Sequence, residues 1–201
     1  GKLMGMAACS ADCDTMWQIG VDVLPSYRKQ GIASALTSKL AIEILKSVKV
    51  IFSEDTRITN QLLKHYNIKS KLISSHQYNE KENIDKLLEY LNSGSDVGLV
   101  TDRGTPVISD PGYYLAQAAI DAGFNVVSIP GATAFVSALI VSGVEAQPFT
   151  FYGFLDSKSS KRKKELEALK EHKQTLIFYE APHRIKEMLE DILNVFGDRE
   201  I

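Results

Sequence analysis

Residues 98–112 read GLVTDRGTPVISDPG. Val97, Leu99 and Val100 form a short apolar run that stops at Asp102. It is followed by Gly104, Pro106, Asp110, Pro111 and Gly112, the pattern of a buried strand emptying into a loop. Gly104 and Gly112 permit backbone conformations that a side chain forbids, and the prolines fix φ. Asp110 followed by Pro111 reads as an N-cap and a first-turn proline, so the loop is expected to end by opening a helix. In open α/β sheets ligands dock at the carboxyl ends of strands, where backbone N–H groups converge. The loop is therefore the expected cofactor site.

Working outward, the chain alternates strand and helix patterns. Val48, Val50, Ile51 and Phe52 form a buried strand ended by Ser53-Glu54-Asp55-Thr56-Arg57. Ile58, Leu62, Leu63 and Tyr66 mark an amphipathic helix, and 71–74 a brief strand. Asn79 with Glu82 three residues on predicts an N-cap for a helix carrying Ile84, Leu87, Leu88 and Leu91. Beyond the central loop, 113–122 reads as a helix stopped by Gly123, and 125–129 as a strand leading into Pro130-Gly131-Ala132-Thr133. Residues 134–142 are apolar on all sides, which predicts a buried helix. This alternation implies an α/β fold with a mostly parallel sheet and right-handed crossovers. A second section begins at FTFYGFL, 149–155. It continues with the basic run Lys158, Lys161, Arg162, Lys163 and Lys164, a strand at 175–179, and a last helix with Ile185, Met188, Leu189, Ile192, Leu193 and Phe196 on one face.

Toward the amino end, 1–16 read as a lead-in or edge strand. Trp17, Ile19, Val21 and Val23 alternate with polar residues as a half-buried strand, and 31–46 have helical spacing. The loop between them, VLPSYRKQGIA, places Arg28, Gly31 and Ala33 in a pattern that resembles the R-x-x-G-x-A signature of the GNAT acetyltransferases. That resemblance covers about residues 10–45 and implies a loop whose amides hold the pyrophosphate of coenzyme A. A basic turn capping a helix is the other reading. The expected organisation is a GNAT-like unit at 1–46 completing the first domain, a cofactor-binding α/β domain at 47–147, and a truncated second α/β domain at 148–201.

Of 201 residues, 44% are hydrophobic and 24% charged, as in an ordinary globular chain. A net charge of -2 excludes a polybasic nucleic-acid binder but leaves room for a local basic patch. No apolar run reaches the length of a membrane span and no signal-peptide pattern opens the chain, which predicts a cytoplasmic protein. Cys9 and Cys13 have no histidine nearby to complete a zinc site, so no metal is expected.

The motifs SEDTR, TDRGTPVISDPGY, PGATAFVSAL, FYGFL and FYEAPHR follow one another in an order and spacing that resemble the ribosomal RNA small subunit methyltransferase I family, within the tetrapyrrole methylase superfamily. The resemblance covers about residues 43–201. It implies S-adenosylmethionine as cofactor, 2'-O-methylation of a cytidine ribose in 16S rRNA of the small ribosomal subunit, and a homodimer with the cofactor between two domains. By motif, the implied cofactor contacts are Asp102, Arg103, Gly104, Thr105, Ile108, Thr133, Ala134, Tyr179, Glu180 and Pro182. Two departures accompany it: the family's opening glycine turn is replaced by the GNAT-like segment, and Arg103 stands where the family has a small residue. They suggest a chimera with impaired activity, whose rival readings are an inactive recombined chain, a tetrapyrrole methylase and a coenzyme A-binding fragment.

Methyl transfer from a sulfonium is an in-line displacement, so the protein mainly aligns the reactants, and a ribose hydroxyl must lose a proton. Glu54, Asp55, Asp102 and Glu180, each at a predicted strand end, are the candidate bases. Glu54 and Asp55 could equally be caps partnered by Arg57. Arg57, Lys161, Arg162, Lys163, Lys164, His183 and Arg184 are the candidate contacts to RNA phosphates.

Overall fold

A computed structural model describes residues 5–13, 16–23, 32–102, 104–129, 131 and 133–198, with side chains from residue 38 onward. The chain divides into two compact units, Gly1–Ala132 and Thr133–Ile201. The division falls ahead of the 147/148 boundary expected from sequence, because the helix after Thr133 groups with the second unit.

The first unit opens with a hairpin of β1 (Gly5–Cys13) and β2 (Met16–Val23), paired antiparallel from Gly5 opposite Val23 to Cys13 opposite Met16. The lead-in is thus a full strand. The hairpin forms its own two-stranded sheet and does not extend the parallel one. Helix α1 (Ile32–Ser47) packs on it.

Next come β3 (Val50–Ser53), α2 (Thr56–His65), β4 (Lys71–Ser74), a 3-10 turn at Lys81–Asn83, α3 (Ile84–Asn92), β5 (Val97–Val100) and α4 (Tyr113–Asp121). The sheet has the order β4-β3-β5, all parallel, with Val50 opposite both Lys71 and Val97. All four residues of the central strand are buried. Its period-2 alternation divides two cores. Val50 and Phe52 pack with Leu87, Leu115 and Ala119 on one face, and Ile51 packs with Val48, Leu63 and Ile68 on the other. This is the expected α/β architecture, with helices on both faces of a parallel sheet.

Several local expectations are corrected. Residues 125–129 do not form a strand, and Val126 and Val127 are exposed. Asn79 does not cap α3. Its Oδ1 instead accepts the His76 N–H at 2.7 Å, and its amide donates to the Ser74 carbonyl at 3.1 Å. Helix α4 starts at Tyr113 with Gly112 in the N-cap position, so Asp110 and Pro111 lie ahead of it. Its cap comes from elsewhere in the chain: the buried Glu80 carboxylate accepts the Tyr114 and Leu115 N–H groups at 2.7 and 3.1 Å.

The second unit contains α5 (Ala134–Ser142), β6 (Phe149–Phe154), α6 (Ser159–Leu169), β7 (Thr175–Tyr179) and α7 (Ile185–Phe196). Strands β6 and β7 are parallel, with a bulge between Phe151 and Gly153. Leu155, Leu166, Met188 and Val195 form its core. Helix α5, expected to be buried, has no buried residue, and Ile140 and Val141 are 75% and 82% exposed.

Candidate functional site

The carboxyl ends of β3 and β5 lie side by side, because Ser53 is in register with Val100. The acidic residues that follow each strand tie the two ends together. Glu54 donates its N–H to the Val100 carbonyl at 3.3 Å, and its Oε2 accepts the Asp102 N–H at 3.1 Å. In return, Asp102 Oδ1 accepts the Asp55 N–H at 3.2 Å. Asp55 caps α2 by accepting the Arg57 N–H at 2.8 Å. Hydrogen bonds from the Arg57 side chain and backbone hold the Asp55 carboxyl down at about 2. Sequence reasoning offered capping and catalysis for Glu54 and Asp55. The structure makes Asp55 the cap and Glu54 a brace with a second carboxylate oxygen to spare.

The loop after β5 is bent sharply. Gly104, Val107 and Ser109 have φ of 84, 77 and 61°, and a positive φ at a β-branched residue such as Val107 stores strain of the kind that collects at ligand loops. The Val107 N–H donates to the Pro111 carbonyl at 3.2 Å, and the Ile108 N–H to the Thr105 carbonyl at 3.2 Å. Gly112 is required where the loop meets the sheet: its φ is 130°, and a Cβ there would stand 2.8 Å from Leu99 Cδ2. The turn brings Asp110 back toward the strand ends. Burial, then the nearby Glu54 and Asp102, push the Asp110 carboxyl above its ordinary value.

Three carboxylates therefore converge on one end of the sheet. Beside them the Thr101 hydroxyl is buried without a hydrogen-bond partner. An unsatisfied buried hydroxyl costs roughly 1–3 kcal/mol, and a ligand polar group would relieve it. This donor and acceptor set fits a cationic, amine-bearing cofactor such as S-adenosylmethionine. A cleft of about 540 Å3 opens at the same end, lined by Glu54, His76, Tyr78, Glu80, Asp110 and Tyr113 among others. Among the described residues no three His, Cys, Asp or Glu side chains are grouped to hold a metal ion, and no helix is long and apolar enough to cross a membrane.

Of the expected cofactor residues in this unit, Asp102 and Thr105 are partly buried, while Gly104 and Ile108 are exposed. Arg103, Arg28 and Gly31 lie outside the described residues. Ala33 falls in the first turn of α1.

In the second unit, the Tyr179 hydroxyl accepts the Phe135 N–H at 3.2 Å and so caps α5 beside Thr133 and Ala134. The Tyr179 ring meets Phe151 and Phe154 edge-on, at 5.0 and 5.5 Å. Glu180 is fully enclosed and pairs with Arg184 at 2.6 Å. Its Oε2 and the Arg184 Nε are both buried without partners. Pro182 and His183 are exposed.

The expected RNA contact at Arg162 is corrected. Its side chain is 1% exposed, pairs with Asp191 at 2.6 Å, and donates through Nη1 to the Asp156 and Ser157 carbonyls. The guanidinium is a structural tie between α6 and α7 with nothing left to offer a phosphate. Lys163 also reaches Asp191, at 3.2 Å, and Lys161 reaches Asp156, at 3.5 Å. Both keep exposed side chains, and Lys164 and Arg57 are exposed as well.

Sequence reasoning missed Glu80, Thr101 and the clustering of Asp110 with Glu54 and Asp102. The acid at 80 was visible, but its partners lie 34 and 35 residues away.

A family model described as Tetrapyrrole (Corrin/Porphyrin) Methylases matches residues 32–201. The match includes α1 from its first residue, so the helix claimed by the acetyltransferase resemblance, with Ala33, falls within the methylase model. "Ribosomal RNA small subunit methyltransferase I" of Bacillus subtilis (strain 168) is 50% identical over 161 residues, 80% of this chain and 55% of the relative. The protein of the same name from Halalkalibacterium halodurans is 46% identical over 161 residues, 80% of this chain and 56% of the relative. That from Haemophilus influenzae is 46% identical over 158 residues, 79% of this chain and 56% of the relative. The chain spans about half the length of the curated relatives it matches.

Proposed function

The chain belongs to the tetrapyrrole (corrin/porphyrin) methylase family, and from that footing we propose that it methylates RNA, transferring the methyl group of S-adenosylmethionine to the 2'-hydroxyl of a cytidine ribose in 16S rRNA. The observation that carries this reading is the convergence of Glu54, Asp102 and Asp110 at the strand ends, beside the unpartnered Thr101 hydroxyl. The choice of RNA over a tetrapyrrole rests on the similarity to relatives named as ribosomal RNA methyltransferases.

When bound, S-adenosylmethionine supplies a methyl group activated by a sulfonium. Asp102, Arg103, Gly104, Thr105 and Ile108 are the residues of the first unit that would hold it. The carboxylates suit its positive charge, and the Thr101 hydroxyl offers a hydrogen bond. Glu54 is the proton acceptor of choice, because it lines the cleft while one of its oxygens is fixed by the Asp102 N–H. It would take the proton of the ribose 2'-hydroxyl, and the oxygen would then accept the methyl group from the sulfonium sulfur of bound S-adenosylmethionine, leaving a neutral thioether. Lys161, Lys163, Lys164, Arg57 and Arg184 provide cationic contacts to RNA phosphates, and His183 offers a ring N–H donor. A homodimer is part of the same proposal, following the family resemblance.

The test is to incubate the chain with methyl-tritiated S-adenosylmethionine and either 30S subunits or a porphyrinogen. Label in the RNA, lost in Glu54→Gln, supports the reading. Label in the tetrapyrrole overturns it.

A further inference from the structure

The cleft at the carboxyl end of the first unit's sheet is lined by both aromatic and polar side chains. Tyr78 is 88% exposed and Tyr113 56% exposed, so two ring surfaces that folding would otherwise bury are presented to water. Tyr78 stands on a braced turn. The His76 N–H is held by Asn79, and the side-chain amides of Asn79 and Asn83 both donate to the Ser74 carbonyl, at 3.1 and 2.8 Å. The ring is therefore carried on a backbone already ordered. Glu54, Asp110 and His76 line the same cleft, with the His76 ring against that of Tyr78 at 6.1 Å. His76 Nδ1 accepts the Tyr78 N–H at 3.3 Å, so the neutral ring carries its proton on Nε2 and that nitrogen is a donor. Next in sequence to the cleft-lining Glu80, Lys81 lies 4.4 Å from the Tyr114 ring centre.

We infer that this cleft is a pocket for an unpaired cytosine base of the RNA, with Tyr78 and Tyr113 stacking on the ring, Asp110 accepting from its exocyclic amine and His76 donating to its carbonyl. The inference rests on the RNA-methylation reading above and adds the residues that select the base. Single-stranded RNA is recognised in this way, by aromatic stacking on splayed bases and hydrogen bonds to their edges, and carboxylates pair with the amine of cytosine. The volume is in the range that encloses a small organic group. Uracil presents a carbonyl where cytosine presents the amine, and that carbonyl would face a carboxylate already crowded by Glu54 and Asp102. Burial first, and then these two neighbours, raise the Asp110 carboxyl above its ordinary value, and a donated amine proton offsets both.

The experiment is fluorescence anisotropy of the full chain with an end-labelled hexauridine, and with the same hexamer carrying one central cytidine. Calorimetric titration with S-adenosylmethionine runs in parallel. The wild-type chain is expected to prefer the cytidine hexamer. Tyr78→Ala is expected to weaken that binding roughly five- to 150-fold, the range for loss of one base-aromatic stack. Tyr78→Phe is expected to retain it, and Asp110→Asn to narrow the preference for cytidine over uridine. Equal binding of the two hexamers by wild type, or unchanged binding by both Tyr78→Ala and Tyr113→Ala, overturns the pocket. If this happens while S-adenosylmethionine binds, the methyltransferase reading stands without it. If the hexamers behave as expected but S-adenosylmethionine does not bind, the pocket stands and the methyltransferase reading falls.

Discussion

Replacing Glu80 tests how the candidate site is held together. Its carboxylate is 4% exposed and accepts two N–H groups from the first turn of α4, at 2.7 and 3.1 Å, where Gly112 can offer no side-chain cap. Hydrogen bonds to a charged group contribute about 1.5–3 kcal/mol each. A carboxylate at a partly buried helix N-terminus gains up to about 2 kcal/mol from the macrodipole, a term that overlaps the first. Glu80→Ala leaves both N–H groups unsatisfied and should cost about 3–5 kcal/mol, a large part of the roughly 5–15 kcal/mol that stabilises a domain. Glu80→Gln keeps an acceptor oxygen and loses only the charge, so it should cost about 1–2 kcal/mol. Urea unfolding followed by far-UV circular dichroism measures both, provided the slope is shared with wild type. A loss below about 1 kcal/mol for Glu80→Ala, or equal losses for the two variants, would refute the cap.

Three further outcomes follow from the same geometry. Arg162→Met leaves the buried Asp191 with only Ser159 and Lys163 as partners and should destabilise by about 2–3 kcal/mol in the same urea assay, less than a fully unpaired buried charge would cost. Lys164→Ala should leave stability nearly unchanged but reduce the salt dependence of single-stranded RNA binding by about 0.7 in the log–log slope. The pH dependence has two opposed parts. Burial alone would raise Asp191, but hydrogen bonds from Ser159, Arg162 and Lys163 outweigh it and hold the carboxyl below its ordinary value. Its contribution is therefore present above the unfolded value and is lost as pH falls through the folded one. Asp110 is raised, so its native form binds the proton more tightly and its penalty at neutral pH is relieved as pH falls. Urea midpoints of Asp110→Asn from neutral pH down through the carboxylate range should lack that relief.

The parallel sheet was legible because β3 is short, apolar and flanked by turn residues, and 71–74 was read with the bounds it has. The loop after β5 was legible from its glycines and prolines. What escaped depends on partners far along the chain. A run of cations at 158–164 looks alike in sequence, yet Arg162 faces α7 while Lys161 and Lys164 face water. The clue was Asp191, an acid on the same helix stripe as the buried Met188 and Val195. Helix α5 has an apolar sequence all round, but composition cannot say what covers a helix, and its outer residues are exposed. Residues 125–129 carry β-branched side chains yet form no strand, so local propensity was overridden. Glu54 and Asp55 show the limit at the site itself. Two adjacent acids read alike until the structure gives one to the helix and the other to the strand ends.

The most direct measurement is the position of the transferred methyl. Small-subunit RNA treated with the chain and S-adenosylmethionine is hydrolysed with alkali, which cleaves the phosphodiester only beside a free 2'-hydroxyl. The products are then read by mass spectrometry. A single alkali-resistant dinucleotide carrying a methylated cytidine is expected. Methylation on a base, on another nucleotide, or on no RNA at all would show that the carboxylates at the strand ends serve a different reaction.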